Sequence, residues 1–215
     1  AMSLKNCLAL LFVLAFLSFL VQSDFGNVNV KSHTLYSSNN QYVVYDLYKP
    51  SSASKENKAP FIVVVPGFQR SKEALSNIAI ELSRRGNVVA LIDPYAQGMS
   101  SSSLSRRAAT TEGYGMFALI DTVSKGNLFD FVDTDKMAST GHSMGGNAAI
   151  RGANYFGKEA IRENKKSKLH SVYVSGYVLT LTEKVLEDVR SNVGVSYALY
   201  DLSLIHISEP TRPQC

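Results

Sequence analysis

The stretch that most constrains this chain runs from Lys136 to Ala149, KMASTGHSMGGNAA. An apolar run leads straight into Gly141-His142-Ser143-Met144-Gly145, and small, helix-compatible residues follow. That order reads as strand, sharp turn and helix. A side chain carried on such a turn is pushed clear of the backbone, which requires residues without bulk two positions away on either side; Gly141 and Gly145 meet that requirement. Ser143 would then stand above the edge of a sheet. The backbone N–H of Met144 and the start of the helix would point at an oxygen that becomes negative during acyl transfer. A glycine-rich turn with no chemistry is the plain alternative. The strand before, the extra Gly146 and the helix after favour Ser143 as a nucleophile.

Of the 215 residues, 45% are apolar and 19% charged, which excludes a disordered chain and fits one globular domain. The net charge of +4 raises the question of an anionic partner. The basic residues are scattered except between Lys158 and Lys168, where Glu159 and Glu163 interrupt them, so that run reads as a solvated helix end and loop. Nucleic-acid binding is not expected.

Both ends fall outside the fold. Residues 1–23 contain one lysine, an apolar core from Leu8 to Val21, and Val21-Gln22-Ser23 at the positions a signal peptidase reads, so they form an export signal. The apolar core is short for a membrane span of about 20 residues, and an uncleaved anchor is the alternative. Either way the domain is expected outside the cytoplasmic membrane. Residues 202–215 include LSLIHISEPTRP, which resembles the translated end of a sequencing-library adaptor and reads as a non-native tail. Cys7 lies in the signal and Cys215 in the tail, so residues 24–201 hold no cysteine and must be stabilised by an apolar core without disulfides.

Within residues 24–201, Asn27–Tyr36 and Gln41–Tyr48 alternate apolar and polar residues around Ser37-Ser38-Asn39-Asn40 and read as an antiparallel hairpin. Phe61–Val65 and Val88–Ile92 are continuously apolar, as strands buried on both faces are. Between them Lys72–Arg85 reads as an amphipathic helix with Leu75, Ile78, Ala79 and Leu82 on one face, stopped by Gly86. Met99–Thr111 is Ser-rich and expected to be mobile, and Tyr114–Val123 reads as a helix packed on the sheet. Gly145–Phe156 is the helix leaving Ser143. Ser171–Val178 and Val193–Tyr200 read as strands, with a helix over Thr182–Arg190 between them. Strands and helices alternating at this spacing give a doubly wound, mostly parallel α/β sheet with an antiparallel start. Residues just after Val65, Ile92, Gly141, Val178 and Tyr200 should converge at the carboxyl ends of the strands.

The stretches VVVPGFQRSKE, ELSRRGNVVALIDPYAQGMSS, VDTDKMASTGHSMGGNAA and GVSYALYD resemble the α/β-hydrolase superfamily, in particular dienelactone-hydrolase-like and acyl-peptidase-like bacterial esterases. The resemblance spans Lys31 to Asp201. It implies that the backbone N–H groups of Met144 and Phe68 form the oxyanion hole, although Pro66 stands where a histidine often precedes the glycine. It also implies that Asp201, at a strand's carboxyl end after the nucleophile, is the triad acid, and that Asp93, which precedes Ser143 in the chain, is structural. Residues 24–201 are few for this fold, so a longer native protein is expected.

A base is harder to place among His33, His142, His170 and His206. His33 reads as a surface or packing residue, His142 adjoins the nucleophile, cannot readily turn back to it and reads as a packing residue of the elbow, His170 opens a strand at its amino end, and His206 is in the tail. The catalytic histidine is therefore expected beyond Asp201 in the native protein, and the 215-residue chain is expected to be nearly inactive. No cofactor or metal motif is present, and none is expected. The reading is an exported serine hydrolase that cleaves small-molecule or polymer-attached carboxylic esters at an open site, with a non-catalytic binding or membrane-associated module on the same fold as the alternative.

Overall fold

The computed structural model describes residues 3–37, 40–101, 112–176 and 183–197. Among the described residues seven strands form one sheet: β1 (Val28–Tyr36), β2 (Tyr42–Pro50), β3 (Ala59–Val65), β4 (Val88–Ile92), β5 (Val132–His142), β6 (Ser171–Ser175) and β7 (Asn192–Ser196). Their order is β1-β2-β4-β3-β5-β6-β7. The β1–β2 and β2–β4 pairs are antiparallel and all the others parallel, as the alternation of strand and helix patterns predicts. The helices are α1 (Leu4–Gln22), α2 (Ser76–Arg84), α3 (Met116–Ser124), α4 (Met144–Glu163) and the short α5 (Glu183–Leu186).

Side chains alternate across the sheet and divide its core in two. Phe61, Val63 and Val65 of β3 face α3 and α4 and belong to the main core, whereas Val64 faces α2 in a smaller cluster with Ala79, Val89 and Leu91. The α3 helix buries Met116, Phe117, Leu119, Ile120 and Val123, a spacing that keeps one stripe on the sheet. Along α4 the buried residues are mostly small, including Ala149, Gly152, Ala153, Gly157 and Ala160, which lets the helix lie close to the strands. This helix ends where Asn164 turns left-handed, at φ 50°.

Several expectations need adjustment. The helix expected from Lys72 begins as a 3-10 turn over Lys72–Leu75 before α2, and Ile78 of the expected buried stripe is 40% exposed. Gly86 does end this helix in the left-handed region, at φ 89°. The α4 helix continues seven residues past Phe156, to Glu163. Residues 99–101 of the segment expected to be mobile are held in place: Ser100 Oγ accepts the Val44 N–H (2.8 Å) and donates to the Asp93 carbonyl (2.6 Å), and Ser101 Oγ donates to Gln41 (2.7 Å). Residues 102–111 lie outside the described residues. So do 177–182 and 198–215, which contain the ends of two expected strands, Asp201, His206 and the expected tail.

Lys168 departs from the solvated run assigned to it. Its ammonium bridges Asp121 of α3 (2.6 Å) and Glu159 of α4 (2.8 Å) and lies 5.5 Å from the Phe156 ring centroid. The N-terminal helix α1 begins at Leu4, four residues before the apolar core that starts at Leu8.

Candidate active site

The parallel registers bring the strand ends to one edge. Val65 pairs with Gly141, Gly141 with Val174, and Val174 with Val195, while Leu91 lies beside Val64 one residue earlier. The convergence expected after Val65, Ile92 and Gly141 is therefore present at the carboxyl edge. Those after Val178 and Tyr200 fall outside the described residues.

At this edge β5 ends at His142, Ser143 makes the turn, and α4 begins at Met144. Ser143 has φ 54° and ψ −115°, a backbone conformation that non-glycine residues avoid. Two backbone hydrogen bonds hold it there: the Ser143 N–H donates to the Ser175 carbonyl (2.8 Å), and the Ser143 carbonyl accepts the Asn147 N–H (3.0 Å). The flanking glycines are required by contact. A Cβ on Gly145 would stand 1.8 Å from the Val65 carbonyl oxygen, and one on Gly141 would stand 2.4 Å from the carbonyl carbon of Gly145. The turn therefore lies directly against the end of β3, and its shape depends on the absence of both side chains.

The end of β3 continues into Pro66-Gly67-Phe68. Gly67 is buried, and a Cβ on it would come within 3.6 Å of the Ser143 Cβ, so this loop and the serine are neighbours. Met144 is 8% exposed and opens α4, whose first four N–H groups have no partner within the helix. Phe68 is 41% exposed at the rim.

Two residues that shape this loop were not singled out as a pair by sequence reasoning. Gln97 lies across the loop: its Oε1 accepts the Gln69 N–H (2.7 Å), and its Nε2 donates to the carbonyls of Gly67 (3.1 Å) and Arg70 (2.9 Å). Asp93, which the resemblance marks as structural, is 1% exposed and accepts the backbone N–H groups of Lys72 (2.7 Å) and Met99 (2.9 Å). Its carboxylate lies where a Cβ on Gly98 would be, 2.3 Å away. Gln97 and Asp93 join the loop after β3 to the loop after β4. Asp93-Pro94-Tyr95 marks the opening of that loop in the sequence, but nothing there marks Gln97 as a brace.

Two of the described histidines, His33 and His170, lie on other elements, and His142 precedes the serine directly. His33 stacks on Tyr45 with ring centroids 5.5 Å apart, and His170 precedes β6 at the opposite, amino edge. The His142 side chain is exposed beside Gly67, where a packed position was expected.

A mostly parallel sheet carrying a serine on a strained strand-to-helix turn at its carboxyl edge defines an α/β-hydrolase fold. The family model described as PETase, PET hydrolase-like, matches residues 18–182, and the chain belongs to that hydrolase family. Among solved structures, an esterase from Pyrobaculum calidifontis has a TM-score of 0.55 at 20% identity, covering 77% of this chain and 51% of its own. The α/β hydrolase GrgF from Penicillium sp. sh18 has a TM-score of 0.55 at 16% identity, covering 69% and 46%. Brefeldin A esterase, described as a bacterial homologue of human hormone sensitive lipase, has a TM-score of 0.53 at 16% identity, covering 69% and 40%. At such identities the likeness establishes the fold. The chain spans about half the length of these structures. No curated protein matches it.

Proposed function

We propose that the protein is a serine hydrolase that cleaves carboxylic esters through an acyl-enzyme on Ser143. The observation that carries this reading is the backbone of Ser143, strained at φ 54° between two glycines that cannot be replaced without overlap. Strain of this kind clusters at functional sites, and here it falls on a half-buried serine at the edge where such sheets bind ligands.

In this reading the Ser143 oxygen attacks the ester carbonyl carbon as its proton passes to a general base, and the carbonyl oxygen takes the negative charge. The N–H groups of Met144 and Phe68 receive that charge. Collapse of the tetrahedral intermediate expels the alcohol, which takes the proton from the base, and water then releases the acid by the same steps in reverse order. Asp201 is the acid that orients the base. The base is a histidine that follows it in the native chain, in keeping with the order nucleophile, acid, base. An ester of a polymer such as PET, or a small soluble ester, is the substrate class that the family description supports. The apolar α1 is compatible with export.

The test is covalent labelling of the full-length native protein by a fluorophosphonate. Labelling that disappears in Ser143→Ala is the expected result. A folded full-length protein that remains unlabelled would overturn the assignment and favour a non-catalytic module on the same fold.

A further inference from the structure

The α1 helix makes few demands on the domain and yet is joined to it. Its 18-residue span Leu4–Val21 has a mean hydropathy of 2.3 and is 0% buried, with Lys5 as its one charged residue. The 19 residues of α1, at about 1.5 Å each, extend roughly 28 Å, close to the ~30 Å hydrocarbon thickness of a bilayer. These properties alone are shared by cleaved signals and retained anchors.

The junction distinguishes the two. A signal peptidase reading Val21-Gln22-Ser23 would cut between Ser23 and Asp24. One guanidinium holds both sides of that bond: Arg84 Nε pairs with Asp24 Oδ1 at 2.9 Å, and Arg84 Nη2 donates to the Val21 carbonyl at 3.3 Å. Ser23 is itself 8% exposed; its N–H donates to the Phe19 carbonyl (2.9 Å), and its carbonyl accepts the Val28 N–H (2.9 Å). On the helix side, Leu20 lines a groove of about 780 Å³ with Val28, Tyr48, Ile80 and Leu91 of the domain. A cut there would break the Arg84–Val21 and Val28–Ser23 hydrogen bonds.

The topology sets the attachment of α1 and the site at opposite edges of the sheet. The β1 strand is antiparallel to β2 and β2 to β4, so β1 runs in the same direction as the parallel strands. Val30 is level with Tyr48 and Val89 near the amino edge, whereas His33 is level with Tyr45 and Ile92 at the carboxyl edge. The α1 helix enters before Val28, on the amino edge, and Ser143 stands beyond the carboxyl edge. From Val28 to the level of Ile92 is five residues of strand, about 17 Å at ~3.3 Å per residue.

We propose that α1 is retained as a bilayer-spanning anchor and that it holds the domain with its amino edge toward the lipid and the Ser143 edge facing away from it. The partner is the lipid bilayer. The consequence for substrate rests on the serine-esterase reading: esters would arrive from the aqueous side or from a polymer surface, and bilayer lipids would be out of reach. The anchor and its orientation do not depend on that reading.

The test needs no catalysis. The full-length native protein is exported in cells and recovered from carbonate-washed membranes, and its intact mass is measured. It is then placed in phosphatidylcholine vesicles carrying a rhodamine lipid, with a donor dye attached through Asn29→Cys or Tyr36→Cys in a Cys7→Ser background. Asn29 and Tyr36 are both exposed and lie at opposite ends of β1. The expected result is a membrane-bound chain whose mass includes α1, with stronger energy transfer from position 29 than from position 36. A soluble protein beginning at Asp24 would overturn the anchor. Equal transfer from the two positions, or stronger transfer from position 36, would overturn the orientation. Loss of fluorophosphonate labelling changes neither readout, so the two proposals fail separately.

Discussion

The two faces of the sheet are built differently. On one, α3 and α4 cover the strands from β3 to β6 and seal residues such as Leu119, Ile120, Met137, Ile150 and Phe156 from solvent. On the other, α2 lies over β2, β3 and β4. Beyond it, a groove of about 670 Å³ runs across to β7, lined by Ile62, Leu75, Ile78, Thr140, Tyr173 and Gly194. Ile78 is 40% exposed and Tyr173 48% exposed on that side. The strands are shared, so strand propensity cannot account for the contrast. Among the described residues coverage by helices does, and stability should therefore be concentrated on the α3–α4 face.

The largest effect that tests this contrast is Phe156→Ala. Phe156 is 1% exposed and meets Phe117 edge to face with centroids 5.7 Å apart, so its loss leaves a cavity costing about 3–5 kcal/mol. Urea unfolding should show this as a lower midpoint. A cost under about 1 kcal/mol would mean that the covered face does not dominate stability.

A smaller effect is expected at Lys168. Burial would raise the Asp121 carboxyl pKa, but hydrogen bonds from Lys168 and Lys125 outweigh it and hold the pKa below its ordinary value. Burial would lower the Lys168 ammonium, but the hydrogen bonds it donates to Asp121 and Glu159 outweigh this and raise the pKa. The Asp121 contribution is present above the carboxyl's unfolded pKa and fades as pH falls through its depressed folded value. The Lys168 contribution is present below the ammonium's unfolded pKa and fades as pH rises through its raised folded value. The clamp is therefore complete across the neutral range. The Asp121 side chain is 42% exposed, so solvent screening limits the cost of Lys168→Met to about 1 kcal/mol at pH 7. Denaturation at acid pH should show the gap between wild type and variant closing once Asp121 is protonated, and a gap that stays constant would show that packing on Phe156 accounts for it.

The smallest effect is Ile78→Ser on the open face, expected to cost under about 0.5 kcal/mol in the same unfolding experiment. A loss comparable to that of Phe156→Ala would show that this groove is covered in solution, and the contrast between the faces would disappear.

Much of the architecture was legible in the chain. The apolar runs Phe61–Val65 and Val88–Ile92 became buried parallel strands, the alternating Asn27–Tyr36 and Gln41–Tyr48 became the hairpin, and Gly141 and Gly145 proved necessary at the turn they were assigned to. Errors collected where a residue's role depends on something distant. Lys168 sits in a charged run and reads as solvated, yet its partner Asp121 is on another helix. Ser100 and Ser101 have loop composition, yet they bond to β2 and to Gln41. Ile78 has the right helical spacing for burial, but among the described residues no helix covers the groove beside it.

By itself the sequence determined what depends on neighbours a few positions away. This includes the period of each strand and helix, the left-handed stop at Gly86, and the need for glycine on both sides of Ser143. Only the tertiary structure decided the strand order β1-β2-β4-β3-β5-β6-β7, the bracing of the Gly67 loop by Gln97 and Asp93, the clamp at Lys168, and the entry of α1 at the edge opposite Ser143. The physical reason is range. Local periodicity follows from backbone geometry within one element. Hydrogen bonds and ion pairs between residues 21 to 47 positions apart form only after the sheet has brought their elements together, and no pattern along the chain marks both partners.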